Sequence, residues 1–368
     1  MIHRRCPVNA TAPVGMWGSQ VPANQALFLK VKMEILTSND KNVPTTSGWQ
    51  QELKTAFRDL GSLLEFIGLP ESALADLEAA PKTFPIRVPR PYAARIRKGD
   101  SRDPLLLQVV SGQGTPRGPA EWPADPVEDR TFQAVPGLLH KYHGRVLLIL
   151  TGGCAIHCRY CFRQHFDYST ALQDDLEPAL DYLRQDDSIT EVILSGGDPL
   201  MKTDESLSRI VTAIESVGQV KRLRIHTRTP VVLPSRVTAE LIDLLAGSRL
   251  QTWMVLHVNH RNELDAEVCD MLRRVGEAGL KLLNQAVLLR NVNDSYEDQR
   301  DLCEALLDCG VIPYYLHTLD RVKGAEAYEV DLTAAKEIMA KLKSGLPGYA
   351  IPRLVTEVAG QASKQDVW

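Results

Sequence analysis

Three cysteines, Cys154, Cys158 and Cys161, follow the apolar run Val146–Leu150 in a C-x3-C-x2-C spacing. Three thiolates at that spacing can hold three corners of a [4Fe–4S] cube and leave the fourth iron open to a small molecule, whereas an electron-transfer cluster usually takes four cysteines. An open iron is a site for chemistry. Two other readings use the same residues: a zinc site completed by His157 or His165, or three unrelated thiols. The chain has seven cysteines, an odd number with three clustered, which argues for metal ligation in a reducing cytoplasm over a disulfide framework. Cys6, Cys269, Cys303 and Cys309 read as packing residues, the last three within helical stretches.

A second motif, Ser195-Gly196-Gly197-Asp198-Pro199, follows another short apolar run. Glycines there let the backbone approach a ligand closely. Such a turn alone is commonly only a turn. Placed behind a three-cysteine loop that carries Tyr160 directly before its last cysteine, it resembles the S-adenosylmethionine-binding segment of radical SAM enzymes. The resemblance implies a [4Fe–4S] cluster on the three cysteines and Tyr160 near the adenine. It places the methionyl amino group at Ser195, Gly196, Gly197 and Asp198, and implies a 5′-deoxyadenosyl radical that takes hydrogen from an unactivated carbon.

These motifs need a scaffold, and the 368 residues, 44% hydrophobic and 24% charged, are enough for a large domain with appendages. Beyond Val146 short apolar runs alternate with helical patterns, the signature of βα units on a parallel sheet. Six strands are expected at Val146–Leu150, Glu191–Leu194, Leu223–His226, Thr252–Val258, Leu282–Leu289 and Ile312–His317. Between them, Leu264, Val268, Met271, Leu272 and Val275 fall on one helical face. The expected fold class is α/β, an incomplete (β/α)6 radical SAM barrel with an N-terminal helical cap and a C-terminal pyridoxal-phosphate segment. In a βα barrel the residues just past each strand share one rim, where active sites assemble. Here those are the cysteine loop, the Ser195–Pro199 turn, Thr227-Arg228, Asn259-His260, Arg290–Asp294 and Thr318–Asp320. His226, His257, His260 and His317 lie near strand ends and read as hydrogen-bonding rim residues or neighbours of S-adenosylmethionine, with metal ligation the alternative.

The flanks differ in character. Residues 1–32 lack helical or strand periodicity and read as a disordered leader or a start-site artefact, with Met33 opening the functional chain. Apolar residues recurring at three and four from Trp49 to Leu74 make 33–80 a helical cap, and the proline-dense 81–140 an irregular wrapping segment. The barrel is expected over 141–345 and the C-terminal segment over 346–368. A net charge of -4 without a long basic run offers no electrostatic reason for nucleic-acid binding. No apolar stretch reaches the roughly 18 residues that a membrane span needs.

The tail narrows the chemistry. By composition Lys364 is an ordinary solvated lysine and His140–Arg145 a basic turn. The stretch from His140 to Lys364, however, resembles the lysine 2,3-aminomutase family. The match includes Cys154/Cys158/Cys161-Phe162-Arg163, Ser195–Asp198, Asn284-Gln285, Val292–Asp294 and the Gly348–Pro352 segment. Within that family the chain looks most like the bacterial branch that makes (R)-β-lysine for elongation factor P, on Val135–Tyr142, Tyr160–Arg163 and Pro313–His317. The resemblance implies pyridoxal 5′-phosphate carried by Lys364, with its phosphate on Lys141, Tyr142 and Arg145. It places the substrate carboxylate on Arg163 and the ε-ammonium of L-lysine on Asp294 and Glu357. Glu357 stands where the lysine enzymes usually carry aspartate, which alters the pocket length by one methylene. Two carboxylates there favour a cationic substrate over glutamate. The resemblance further implies a cytoplasmic isomerase served by a flavodoxin- or ferredoxin-type reductant and functionally linked to a β-lysine ligase. Left open are another cationic amino acid as substrate, a radical SAM enzyme without pyridoxal phosphate, and a non-enzymatic cluster protein.

Overall fold

A computed structural model describes residues 48–70, 72–73, 84–110, 122–172 and 175–367. The expected leader and Cys6 lie outside the described residues. Among the described residues four short helices come first: α1 (Gly48–Lys54), α2 (Leu60–Ile67), α3 (Arg90–Ala94) and α4 (Pro104–Leu107). Asp59 caps α2 by accepting from Ser62 N, and Gly68, at φ 71°, ends it in the left-handed conformation that glycine adopts without strain. The proline-dense stretch thus holds α3 and α4, and a hairpin of β1 (Gln133–Val135) and β2 (Leu138–Tyr142) begins at its end.

The alternating part follows as β3 (Arg145–Ile149), α5 (Glu177–Gln185), β4 (Glu191–Ser195), α6 (Asp204–Glu215), β5 (Arg222–Thr227), α7 (Thr229–Val232), α8 (Ala239–Ala246), β6 (Gln251–Leu256), α9 (Ala266–Glu277), β7 (Lys281–Val287), α10 (Tyr296–Asp308), β8 (Ile312–His317), α11 (Leu332–Gly345), β9 (Arg353–Thr356) and β10 (Gln365–Asp366). The ten strands form one sheet in chain order. Strands β3 to β9 pair in parallel, while the β1–β2 hairpin at one edge and β10 at the other are antiparallel. All six expected strands are present within two residues of their ends. A seventh parallel strand, β9, extends the sheet.

Strand residues divide between two environments. In β5, Leu223 and Ile225 enter the main core, whereas Arg222, Arg224 and His226 line an interior cavity. A parallel sheet normally buries apolar side chains on both faces. The inner face of β5 departs from this, whereas Leu147, Ile193, Trp253 and Leu283 line the same cavity. Against the outer face packs α9, whose Asp265 cap accepts from Val268 N and whose Val268, Met271, Leu272 and Val275 are buried.

A second core joins α1 and α2 to the cysteine loop: Trp49, Leu53, Leu63, Leu64 and Ile67 cluster with Ala155 and Ile156, and with Val232 and Leu233 beyond β5. One cysteine expectation is corrected. Cys269 on α9 and Cys309 at the end of α10 form a disulfide, with Cα atoms 4.8 Å apart, within the range that a bridge requires. The fold brings together thiols 40 residues apart in the chain. Cys303 is free and buried, a packing residue as expected.

Leu63 is fully buried in the core that carries the cysteine loop. Leu63→Ala is expected to lower unfolding free energy in urea by about 2–5 kcal/mol. Less iron should also be retained after reconstitution, because the same core holds Ile156.

Candidate active site

A cavity of about 1000 Å³ opens inside the sheet, and Cys154, Cys158, Cys161 and Lys364 all line it. The loops that bring the thiols there are fastened by main chain. Gly197 N donates to Thr151 O at 2.6 Å, and Asp198 N to Gly153 O at 2.8 Å, so the turn after β4 is bonded directly to the loop after β3. Side chains would block this approach. A Cβ on Gly196 (φ 125°) would sit 2.6 Å from Thr151 O, and one on Gly197 2.8 Å from Gly152 C. Arg87 holds the cysteine loop from outside by donating to Cys154 O at 2.8 Å.

Asp198 lines the cavity but its carboxylate is fully employed in fixing loops. It accepts from Thr227 Oγ1 at 2.7 and 2.9 Å, Arg228 N at 2.8 Å, Thr229 N at 3.0 Å and Leu200 N at 3.0 Å. Burial pushes its pKa up against these bonds. Asp198 therefore positions the turn, leaving Ser195, Gly196 and Gly197 to face a ligand. Tyr160 is buried, its hydroxyl bonded to Asn259 Nδ2 at 2.7 Å and His257 Nε2 at 3.1 Å and to the Arg228 guanidinium.

The donor set fits an iron–sulfur cluster. Burial first, then the other thiols, pushes the Cys154 thiol well up and Cys161 to about 12. Partly buried thiols whose ionisation is disfavoured at Cys154 and Cys161 suit a shared cationic centre, with Cys158 lining the same cavity. His157 Nδ1 bonds Pro85 O at 2.7 Å and His165 Nε2 bonds Lys323 O at 3.0 Å, and neither histidine joins the thiols in a group of three ligands placed for one ion. Among the described residues no His, Cys, Asp or Glu group is arranged for a single metal ion. Four buried polar atoms on cavity-lining residues, Arg224 Nε, His226 Nε2, Arg228 Nε and Thr229 Oγ1, have no protein partner, as expected where a polar organic ligand completes the site.

Opposite the thiols, charges alternate. The β9–β10 register sets Gln365 against Thr356, which brings Lys364 beside Glu357, and their side chains form an ion pair. Lys141 Nζ reaches Glu357 Oε1 at 3.2 Å, Asp129 Oδ1 at 2.7 Å and Val127 O at 2.6 Å. Lys141 is thus a counter-ion to two carboxylates, and it lines the cavity with Tyr142 and Arg145, the Arg145 guanidinium 4.7 Å from the Tyr142 ring centre. Arg163 donates Nε to Asp129 Oδ2 at 2.8 Å and Nη1 to Ser195 Oγ at 3.1 Å. Burial raises the Glu357 pKa, but Lys364 and Lys141 outweigh it and hold the carboxyl at about 2. Burial and the Glu357 charge push Asp320 the other way, to about 7. His226 and His317 are driven well below the usual imidazole range by burial, with the Lys364 cation adding to the effect.

Asp294 lies outside the lining of this cavity. Its Oδ1 accepts from Asn291 N at 3.0 Å and closes its own turn. The adjacent Asn293 anchors that turn by donating to Asn259 O and Val287 O. The second carboxylate facing Glu357 is Asp320, just past β8, a rim position the strand pattern already marked. Asp129 was also missed, since it comes from the proline-dense stretch and meets its partners only in the fold.

Comparison with known proteins bears on this geometry. The radical SAM superfamily profile matches residues 148–310. An L-lysine 2,3-aminomutase of Escherichia coli is 41% identical over 88% of this chain and 95% of its own length. That of Haemophilus influenzae is 42% identical over 86% of this chain and 94% of its own. That of Clostridium subterminale is 32% identical over 87% and 77%.

Gly197→Ala should preserve helical content by circular dichroism yet lower iron incorporation on anaerobic reconstitution several-fold. The added methyl meets main chain and not a yielding side chain. Iron content equal to that of the unaltered protein would contradict the fastening described.

Proposed function

The chain belongs to the lysine 2,3-aminomutase family of radical SAM enzymes, and we propose that it converts free L-lysine to (R)-β-lysine with pyridoxal phosphate attached to Lys364. The observation that carries the reading is the shared cavity: three thiols and the Lys364 side chain line the same space, together with Lys141, Arg163, Asp320 and Glu357. The cluster with S-adenosylmethionine would supply the radical and pyridoxal phosphate the stabilisation of the migrating centre.

Each side chain then has a task. Cys154, Cys158 and Cys161 hold three irons, and Ser195 to Gly197 receive the polar end of S-adenosylmethionine. Arg163, fixed along one edge by Asp129, presents its remaining donors to the substrate carboxylate. Glu357 changes partners: it pairs with Lys364 when that amine is uncommitted, and with the substrate's ε-ammonium once Lys364 carries the cofactor. Asp320 completes the ammonium site. Tyr142 and Arg145 serve the cofactor phosphate, and Arg224, with an unpartnered Nε beside them in the lining, suits the same group. Lys141 acts at one remove by balancing Asp129 and Glu357.

The likeness to the bacterial branch extends the proposal to a cytoplasmic enzyme whose product is joined to elongation factor P by a separate ligase, with a flavodoxin- or ferredoxin-type reductant. Among the described residues no helix is long and apolar enough to cross a membrane. Anaerobic incubation of the reconstituted protein with S-adenosylmethionine, pyridoxal phosphate and each of lysine, arginine and glutamate tests the substrate. Chromatography should detect β-lysine from lysine alone. β-Arginine as the dominant product would move the reading to another cationic amino acid. A radical SAM enzyme without pyridoxal phosphate would show no cofactor absorbance band that Lys364→Ala abolishes.

Proton linkage supplies a second test. Asp320 keeps its proton to about pH 7, and a bound ammonium would favour the carboxylate, so the complex holds fewer protons than the free enzyme. Near pH 7, lysine binding should release about half a proton, read as a buffer-dependent heat in titration calorimetry. Asp320→Asn should abolish the release and weaken lysine binding at least tenfold. Release that persists in Asp320→Asn would assign the ammonium site elsewhere.

A further inference from the structure

Arg228 follows β5 at the end that faces the cysteine loop and is held from several directions. Its Nη2 donates to Glu263 Oε2 at 2.9 Å and to Gln108 Oε1 at 2.7 Å. Nη1 donates to the Tyr160 hydroxyl and lies 2.6 Å from Cys158 Sγ. Both members of the ion pair are buried, with side-chain exposures of 7% for Arg228 and 0% for Glu263.

Glu263 cannot swing away. Its Oε1 accepts from Asn259 N at 2.9 Å, His260 N at 3.1 Å and Gln108 Nε2 at 3.2 Å. The guanidinium is therefore aimed at one sulfur by a carboxylate that three further donors fix. Arg87, the cation beside Cys154, is bonded instead to that residue's carbonyl. Structural pairing with Glu263 alone would need no contact with a cysteine sulfur.

We propose that Arg228 is a positioning residue that sets the reduction potential of the cluster through its N–H···S bond to Cys158, with Glu263 as the opposing charge that limits the effect. This rests on the assignment of Cys154, Cys158 and Cys161 as cluster ligands. A cationic donor on a cluster thiolate stabilises the more negative, reduced form and raises the potential. In a buried, low-dielectric setting the bond and the counter-charge both act strongly. Removing the cation and removing the anion must then move the potential in opposite directions.

The test is a potentiometric titration of the anaerobically reconstituted cluster, followed by electron paramagnetic resonance without S-adenosylmethionine or pyridoxal phosphate. Arg228→Gln should disfavour reduction by about tenfold or more, about 59 mV for a one-electron couple. Glu263→Gln, which retains an acceptor for the backbone donors, should raise the potential. Shifts of the same sign, or none in either variant with iron content intact, would overturn the proposal. If Arg228→Gln does not hold iron, Glu263→Gln decides alone: a raised potential supports the assignment and an unchanged or lowered one rejects it. Unaltered protein that takes up no cluster would instead reject the cysteine assignment, and this proposal with it.

Discussion

The pairing of β10 with β9 is the constraint on which the site depends. Two residues of antiparallel register turn the chain back and set Lys364 against Glu357, at the edge of the sheet whose other strands deliver the cysteine loop. Arg353 and Asp366 pin the hairpin with contacts at 2.7 and 2.9 Å. Without it, Lys364 would be a lysine on a short exposed tail. With it, the amine faces the same interior as three thiols.

Inside that interior, charge balance does the arranging. Asp129 joins Lys141 to Arg163, and Glu357 joins Lys141 to Lys364, so one chain of alternating signs runs from the segment before the sheet to its last loop. Buried charges persist when paired and hydrogen-bonded, and removing one partner leaves a costly orphan. The same chain explains why two neighbouring carboxyls titrate so differently. Glu357 has two cations in contact, whereas Asp320 meets the Glu357 charge with only distant compensation. A cation entering the cavity has a ready place beside Asp320.

Much of the scaffold was legible because apolar residues at fixed spacing have few alternatives. Val192, Leu194, Leu223 and Ile225 could serve only as the outward face of parallel strands, and the cysteine spacing carried its chemistry without knowledge of the fold. The strand β9 was harder to see, since Arg353–Thr356 is short and its pairing with β8 is set by tertiary contact. Asp198 and Asp294 illustrate one ambiguity of sequence reading. A carboxylate beside a turn can face a ligand or bond its own backbone, and both have donors close in the fold. Asp129 had no local signal, because its role exists only once Arg163 and Lys141 arrive from elsewhere. The Cys269–Cys309 pair was hidden likewise by 40 intervening residues.

The central claim is that the tail amine and the thiol trio serve one cavity. Its most direct test is borohydride reduction of protein loaded with both iron and pyridoxal phosphate, followed by peptide mapping of the phosphopyridoxyl label. The account predicts a single label on Lys364 in protein whose cluster signal is intact. A label on another lysine, or none on protein with a full cluster, would contradict it.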